Sequence, residues 1–187
     1  MSATAGTARL FVALELPGPV LTALGAWGET ELPAVTGLRR VGRDALHVTL
    51  CFLGSRPAAE IPAIAGACSV LSGEPAAELS LSGLLWLPPR RPRVLAVGVE
   101  DGAGRLAGLQ AMLSGALERG GWYEPGRRRF VAHVTVGRFG RTGGHAVPVA
   151  DPPALRFPGR SVALLRSWPE RGGSRYERLA SVSLVRS

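Results

Sequence analysis

The sequence predicts a mixed α and β fold built from two similar halves, and three observations lead to this prediction. The chain has 187 residues, 46% of them hydrophobic, which suffices for one domain with a real core but not for two of ordinary size. Short runs rich in apolar and β-favouring residues alternate with segments of helical periodicity. The order of strand, helix and histidine-containing strand occurs twice. We therefore expect residues 1–187 to form a single domain, with residues 1–8 as a loose tail.

The first half contains two predicted strands with a helix between them. Residues 9–16 (RLFVALEL) predict a strand, which the turn-forming residues 17–19 end. A helix follows, whose apolar residues recur at helical spacing and are Val20, Leu21, Leu24 and Trp27. Residues 46–53 (LHVTLCFL) are almost continuously apolar, which predicts a strand buried on both faces.

Another helix and two further strands are predicted in the middle of the chain. The helix ends at Gly73, and its apolar residues are Ile61, Ile64, Ala65, Cys68 and Leu71. Residues 78–87 and 93–100 then predict two strands, because the proline-rich residues 88–92 between them favour a turn.

The last part of the chain repeats the pattern and adds a hairpin. Asp101 is a candidate cap for a helix that ends at Gly120, with apolar residues Leu106, Leu109, Met112, Leu113 and Leu117. Residues 130–138 (FVAHVTVGR) again predict a strand. Residues 161–167 and 176–185 predict paired strands around a glycine-containing turn at 170–174, which would close a sheet edge.

The spacing within the two halves agrees. Arg9 precedes His47 by 38 positions, and Arg93 precedes His133 by 40 positions. The two histidines therefore occupy equivalent places in two similar halves. We expect two related sheets that meet about a pseudo-two-fold axis and bring the histidine-containing strands together across a cleft.

Two of the three histidines begin the same short motif. His47 and His133 each start the pattern histidine, any residue, threonine, aliphatic, completed by Thr49 and Thr135. On a strand, a two-residue spacing places the imidazole and the hydroxyl on one face. His145 follows two glycines, lacks a hydroxyl partner, and is expected to be exposed.

Two such motifs facing each other suit the cleavage of a phosphodiester. One neutral histidine can deprotonate water while a protonated one donates to the leaving oxygen, on opposite sides of phosphorus. Histidine fits this task because its ordinary pKa of about 6.5 allows either form near neutral pH. No cofactor or metal is predicted, because no third histidine or carboxylate stands at ligand spacing beside either motif. The alternative is that the histidines are hydrogen-bonded strand residues and the threonines ordinary β-formers.

At these motifs the sequence resembles a known family. The paired motifs, the segments RLFVALELP, HVTLCFLG and FVAHVTVGR, and the closing LLRS…YERL pattern are similar to the RNA 2′,3′-cyclic phosphodiesterases. These enzymes, once named 2′-5′ RNA ligases, belong to the two-histidine phosphoesterase superfamily. The resemblance implies a bilobal α+β fold of two antiparallel sheets with helices outside and a central cleft. It also implies hydrolysis of a 2′,3′-cyclic phosphate to a 2′-phosphomonoester, and alongside it reversible 2′-5′ RNA ligation, in which a 5′ hydroxyl takes the place of water.

The resemblance further implies a role for each motif residue. His47 matches the proton donor to the leaving 3′ oxygen, and His133 matches the base that activates water. Thr49 and Thr135 match the phosphate-binding hydroxyls. The second motif departs from the family pattern, with Ala132 where proline is common and Val136 where leucine is frequent. Neither change removes a catalytic group.

Further residues near the motifs carry expectations of their own. Arg138 lies five residues after His133 and is either a phosphate contact or a solvated arginine at a strand end. Phe52 faces away from His47 on a regular strand, so we expect it in the core. Residues 127–129 are consecutive arginines that could face RNA.

The composition bounds the partners. The net charge of +8 favours an anionic partner, although all 22 basic residues are arginine, which coding bias alone could produce. Cys51 and Cys68 lack metal or redox spacing and are expected to be buried thiols. With neither a signal peptide nor an apolar run of membrane-spanning length, we expect a cytoplasmic monomer that acts on RNA ends or cyclic nucleotides. Two other readings stay open: a non-catalytic RNA-end-binding module, and a phosphodiesterase for ADP-ribose cyclic phosphate or another small cyclic ester.

Overall fold

The computed structural model describes residues 6–126, 129–170 and 173–186. Strands and helices follow in this order: β1 (Thr7–Glu15), α1 (Gly18–Glu31), β2 (Leu38–Arg40), β3 (His47–Pro57), α2 (Ile61–Cys68), β4 (Ala77–Leu87), β5 (Val94–Glu100), α3 (Arg105–Arg119), β6 (His133–Phe139), β7 (Arg156–Gly159), β8 (Ser161–Glu170) and β9 (Gly173–Ser183). None of the helices in these ranges combines the length and hydropathy that a membrane span requires.

The two predicted antiparallel sheets are present as the two halves of one continuous sheet. The strand order is β7-β4-β5-β6-β3-β1-β8-β9, all pairs are antiparallel, and β2 adds to the outer part of β6. The two halves meet where β3 and β6 pair at a single position, Val48 opposite Val134. Within each half a central strand, β1 or β5, lies beside the histidine-containing strand. The arrangement about this pair is the pseudo-two-fold relation that the repeat predicted.

The main core lies between the three helices and one face of the sheet. Helix residues such as Leu24, Ile64 and Leu109 pack in one cluster with strand residues such as Leu10 and Leu95. The alternation of side chains along a strand turns every second residue toward this core. The opposite face of the sheet carries a smaller buried cluster, formed by Phe11, Ala13, Ala163 and Leu165. The helices are therefore outside, and the cleft lies on the other face.

Several predicted boundaries need correction. Thr7 and Ala8 belong to β1 and not to a loose tail, because they pair with Pro57 and Arg56, and Ala8 is buried. The strand from His47 is buried on its helix side only, since His47 and Thr49 remain half-buried on the cleft side. It is β1, inserted between β3 and β8, that is buried on both faces.

Two short strands escaped prediction. β2 spans three residues and β7 four, which is too short for a periodic pattern in the sequence. Both are recognisable only by their partners, β6 and β4. The predicted helices are present, and the Asp101 carboxylate accepts hydrogen bonds from the backbone N–H groups of Arg105 and Ala107 at the start of α3.

Candidate active site

The two histidine motifs flank the single pair that joins the halves. Val48 and Val134 are fully buried and point toward the helices. Their neighbours in the sequence point to the cleft, because side chains alternate across a strand. Extended by one residue, the antiparallel register sets His47 opposite Thr135 and Thr49 opposite His133. The structure thus brings the four predicted side chains together on one face.

Both imidazoles are held in the same way. Nδ1 of His47 lies 2.8 Å from the carbonyl oxygen of Ala45, and Nδ1 of His133 lies 2.8 Å from that of Val131. A carbonyl can only accept, so each Nδ1–H donates and each neutral ring keeps Nε2 as its free nitrogen. Nε2 of His47 lies 3.1 Å from the Thr49 hydroxyl. Each ring therefore turns its proton-transfer nitrogen away from the backbone.

A bulge follows the threonine in both motifs. Along β3 the pairing with β1 passes from Thr49 to Cys51 and skips Leu50, and along β6 the pairing with β5 passes from Thr135 to Gly137 and skips Val136. One extra residue reverses the alternation of all side chains beyond it. The last position of each motif is thus the bulged residue, and its side chain is buried.

These bulges correct the expectation for Phe52 and place Arg138 on the cleft face. Both residues stand five positions after a histidine, which on a regular strand would be the core face. Beyond the bulge they return to the cleft face, so Phe52 is 49% exposed and lines the cavity that contains His47 and Thr49. Cys51 turns into the core instead. Arg138 lines the same cavity and lies close enough to His47 to affect its titration.

The cavity beside His47 has a volume of about 490 Å³ and a mixed lining. Three aromatic rings, those of Phe11, Phe52 and Tyr176, provide apolar walls. Arg9 and Arg138 provide positive charge, and the Arg9 guanidinium lies 4.9 Å from the centre of the Phe52 ring. Such a cavity suits a ligand with a planar apolar part and an anionic part.

Aromatic rings enclose His47. The ring centres of Phe11 and Tyr176 lie 4.9 and 5.3 Å from the imidazole, and 5.0 Å from each other. Reasoning from the motifs missed both residues, although both stand in the family-like segments at the two ends of the chain. The only other signal was a β-strand pattern, which does not reveal that β1 and β9 reach the same cleft.

The enclosure changes the titration of His47. Its pKa is lowered from 6.5 to about 4, chiefly because burial penalises the charged ring. The positive charges of Arg138 and His133 lower it as well, whereas the carbonyl of Ala45 favours the charged form. His47 is therefore neutral near neutral pH in the free protein.

The remaining predicted residues lie as follows. His145 is exposed and outside the regular elements. Cys51 and Cys68 are buried free thiols, and burial raises their pKa values to about 12 and 11. Arg127 and Arg128 lie outside the described residues. In the part of the chain that the structure describes, no three His, Cys, Asp or Glu side chains group as metal ligands would.

Comparison with known proteins agrees with this geometry. The family model described as the 2′-5′ RNA ligase superfamily matches residues 22–167. The RNA 2′,3′-cyclic phosphodiesterase of Escherichia coli is 33% identical over 132 residues, 68% of this chain and 70% of that protein. That of Thermus thermophilus is 32% identical over 185 residues, 94% of this chain and 90% of that protein.

Solved structures show the same relationship. The crystal structure of Escherichia coli LigT complexed with 3′-AMP superposes with a TM-score of 0.82 at 28% identity, covering 97% of this chain and all of that one. The structure of the Thermus thermophilus protein TT0787 has a TM-score of 0.78 at 29% identity and covers 94% of this chain and 97% of that one. Sequence and fold agree along nearly the whole length, and the chain belongs to the 2′-5′ RNA ligase superfamily.

Proposed function

We propose that this protein hydrolyses 2′,3′-cyclic phosphates at RNA or nucleotide ends to 2′-phosphomonoesters, without a metal ion. The observation that carries the proposal is the pair of histidine and threonine sets around Val48 and Val134, in which each imidazole is anchored through Nδ1 and leaves Nε2 for proton transfer. The Escherichia coli and Thermus thermophilus relatives are named for this activity, and the Escherichia coli protein LigT was crystallised in complex with the nucleotide 3′-AMP.

The reaction assigns one proton transfer to each histidine. Nε2 of His133 takes a proton from water as the water oxygen bonds to phosphorus. The bond from phosphorus to the 3′ oxygen breaks, and protonated His47 gives that oxygen its proton. The hydroxyls of Thr49 and Thr135 donate to the non-bridging oxygens. Arg138, which makes no ion pair among the described residues, adds a positive charge for the same oxygens.

This assignment requires His47 to gain a proton when substrate binds. Its pKa of about 4 in the free protein reflects burial and nearby positive charge. A phosphodiester anion beside the ring supplies the opposite charge and raises that pKa. The proposal therefore couples protonation of His47 to occupancy of the cleft. A cytoplasmic location and a monomeric state remain predictions beside it.

The test is product analysis on 2′,3′-cyclic AMP and on an RNA with a 2′,3′-cyclic end, in excess EDTA. We expect full activity with the chelator and phosphate on the 2′ oxygen only. A 3′-phosphate product would mean that the histidine roles are exchanged or the substrate is reversed. Activity lost in EDTA and restored by one divalent metal would contradict the mechanism. Binding of the RNA without any turnover would indicate an RNA-end-binding module.

A further inference from the structure

A second groove adjoins the catalytic cavity. It has a volume of about 480 Å³ and lies between residues 39–45 and the hairpin of β8 and β9. The groove and the catalytic cavity share three lining residues, Arg138, Ser174 and Tyr176. A ligand held at His47 can therefore continue into the groove without leaving the protein surface.

The groove carries an excess of positive charge. Five arginines line it against two carboxylates, those of Asp44 and Glu170. Two of the arginines are already paired, because Arg40 lies 3.1 Å from Glu29 and Arg175 lies 2.9 Å from Glu170. Within residues 6–126, 129–170 and 173–186, the other three arginines, at positions 39, 43 and 138, have no ion-pair partner.

Two of these unpaired arginines face each other. β2 pairs with β6 so that Arg39 is directly opposite Arg138, and both side chains are exposed. Like charges directly opposite on neighbouring strands destabilise a sheet. An RNA chain with its cyclic phosphate at Arg138 and the preceding phosphate at Arg39 would offset this repulsion with charge-assisted hydrogen bonds. The unfavourable pair is thus explained by an anionic ligand that bridges the groove and the catalytic cavity.

We propose that Arg39 and Arg43 bind the phosphate that joins the terminal nucleotide of an RNA to the preceding one. This inference rests on the proposed function and deepens it, because it names the substrate class as RNA ends in preference to cyclic mononucleotides. A single strand carries one phosphate per nucleotide, so a chain whose cyclic end lies at His47 presents its next phosphate close by. A cyclic mononucleotide has no such group.

The kinetic test compares two substrates in matched variants. Arg39→Ala combined with Arg43→Ala should lower kcat/KM for an oligoribonucleotide with a 2′,3′-cyclic end about tenfold more than for 2′,3′-cyclic AMP. Arg105→Ala combined with Arg119→Ala, both on the outer helix α3, removes the same two charges far from the groove and should change neither value. Equal losses on both substrates, or no loss on either, would overturn the inference. A comparable extra loss on ADP-ribose cyclic phosphate would also overturn it, because a small diphosphate would then occupy the groove.

A binding measurement separates this inference from the proposed reaction. The affinity for an oligoribonucleotide ending in a 2′-phosphate is measured by fluorescence anisotropy over a range of salt concentrations. The slope of log Kd against log salt should fall by about 0.7 for each phosphate contact that a variant loses. If the double variant folds like the wild type by circular dichroism and its slope is unchanged, the groove does not bind the phosphate. This conclusion holds even if hydrolysis is observed. If the slope is reduced in the double variant but the wild type shows no turnover, the groove binds the phosphate and the proposed reaction is wrong.

Discussion

The two halves of the molecule share one frame and differ in what surrounds each histidine. In both, the strand begins at the histidine, the side chain is anchored through Nδ1–H to a carbonyl two residues earlier, and a bulge follows the threonine. Glu15 pairs with His47 on the neighbouring strand, whereas Gly98 pairs with His133. The residue returned to the cleft by the bulge is aromatic in the first half, Phe52, and cationic in the second, Arg138.

The difference continues beyond the paired strands. Phe11 and Tyr176 enclose His47, and the Glu15 carboxylate accepts hydrogen bonds from Ser161 and Arg178. The second half of the sheet instead has Arg138, opposite Arg39 on the short strand β2, which comes from the first half of the chain. A repeated frame thus holds two equivalent proton-transfer groups, while the equivalent positions 52 and 138 carry an aromatic ring in one half and a guanidinium group in the other. An in-line displacement needs such unequal partners, one to give a proton and one to take it.

The largest expected effect comes from removing either histidine. His47→Ala and His133→Ala should each lower turnover by about 10²–10⁴-fold, because both halves supply an essential proton transfer. Steady-state kinetics on 2′,3′-cyclic AMP, with circular dichroism as the control for folding, measure this loss. If one folded variant kept near-normal turnover, the two halves would not be functionally equivalent and that residue would not be catalytic.

Substitutions at the equivalent positions 52 and 138 should affect catalysis in different ways. Arg138→Ala should lower kcat/KM about 10- to 100-fold, as expected for a charge-assisted contact to phosphate. Arg138→Lys keeps the positive charge but lacks the planar, bidentate guanidinium group, so it should recover part of the lost kcat/KM. Phe52→Ala should lower kcat/KM less than about tenfold, mainly through KM, because it removes only an apolar wall. A larger loss in kcat/KM for Phe52→Ala than for Arg138→Ala would contradict the assignment of Phe52 as an apolar wall and Arg138 as a phosphate contact.

Removing a threonine hydroxyl should have a smaller and symmetrical effect. Thr49→Val and Thr135→Val keep the shape and the β-branch but delete a neutral hydrogen bond, which corresponds to about a fivefold loss in kcat/KM. The Thr→Ser variants retain the hydroxyl and serve as controls. If one of the two valine variants kept the full kcat/KM, the hydroxyl at that position would not face the phosphate.

The last expected effect concerns stability and not turnover, and it distinguishes the enclosed histidine. Because the folded protein lowers the pKa of His47 to about 4, the unfolded chain binds more protons between about pH 4 and 6.5. The free energy of unfolding is therefore highest above this window, where His47 is neutral in both states. It decreases as the pH falls through the window, by at most about 3 kcal/mol. Urea unfolding of the wild type and of His47→Asn at several pH values measures the difference. The same pH dependence in both proteins would contradict the role of the enclosure.

Local signals in the sequence predicted the repeat, the motif residues and most of the strands and helices. Periodicity located the main strands and helices, and the shared motif located His47, Thr49, His133 and Thr135, because these signals are local. It did not reveal β2 or β7, which are too short to be periodic and exist through pairing with β6 and β4.

The surroundings of the motifs follow from the tertiary structure. Whether a strand carries a bulge depends on the register with its neighbour, and the bulge at Leu50 reversed the expected orientation of Phe52. The enclosure of His47 joins residues from the first and last strands of the chain, Phe11 and Tyr176. Its lowered pKa follows from that burial. Charge, packing and titration at the site are set by neighbours in space, which a linear pattern does not specify.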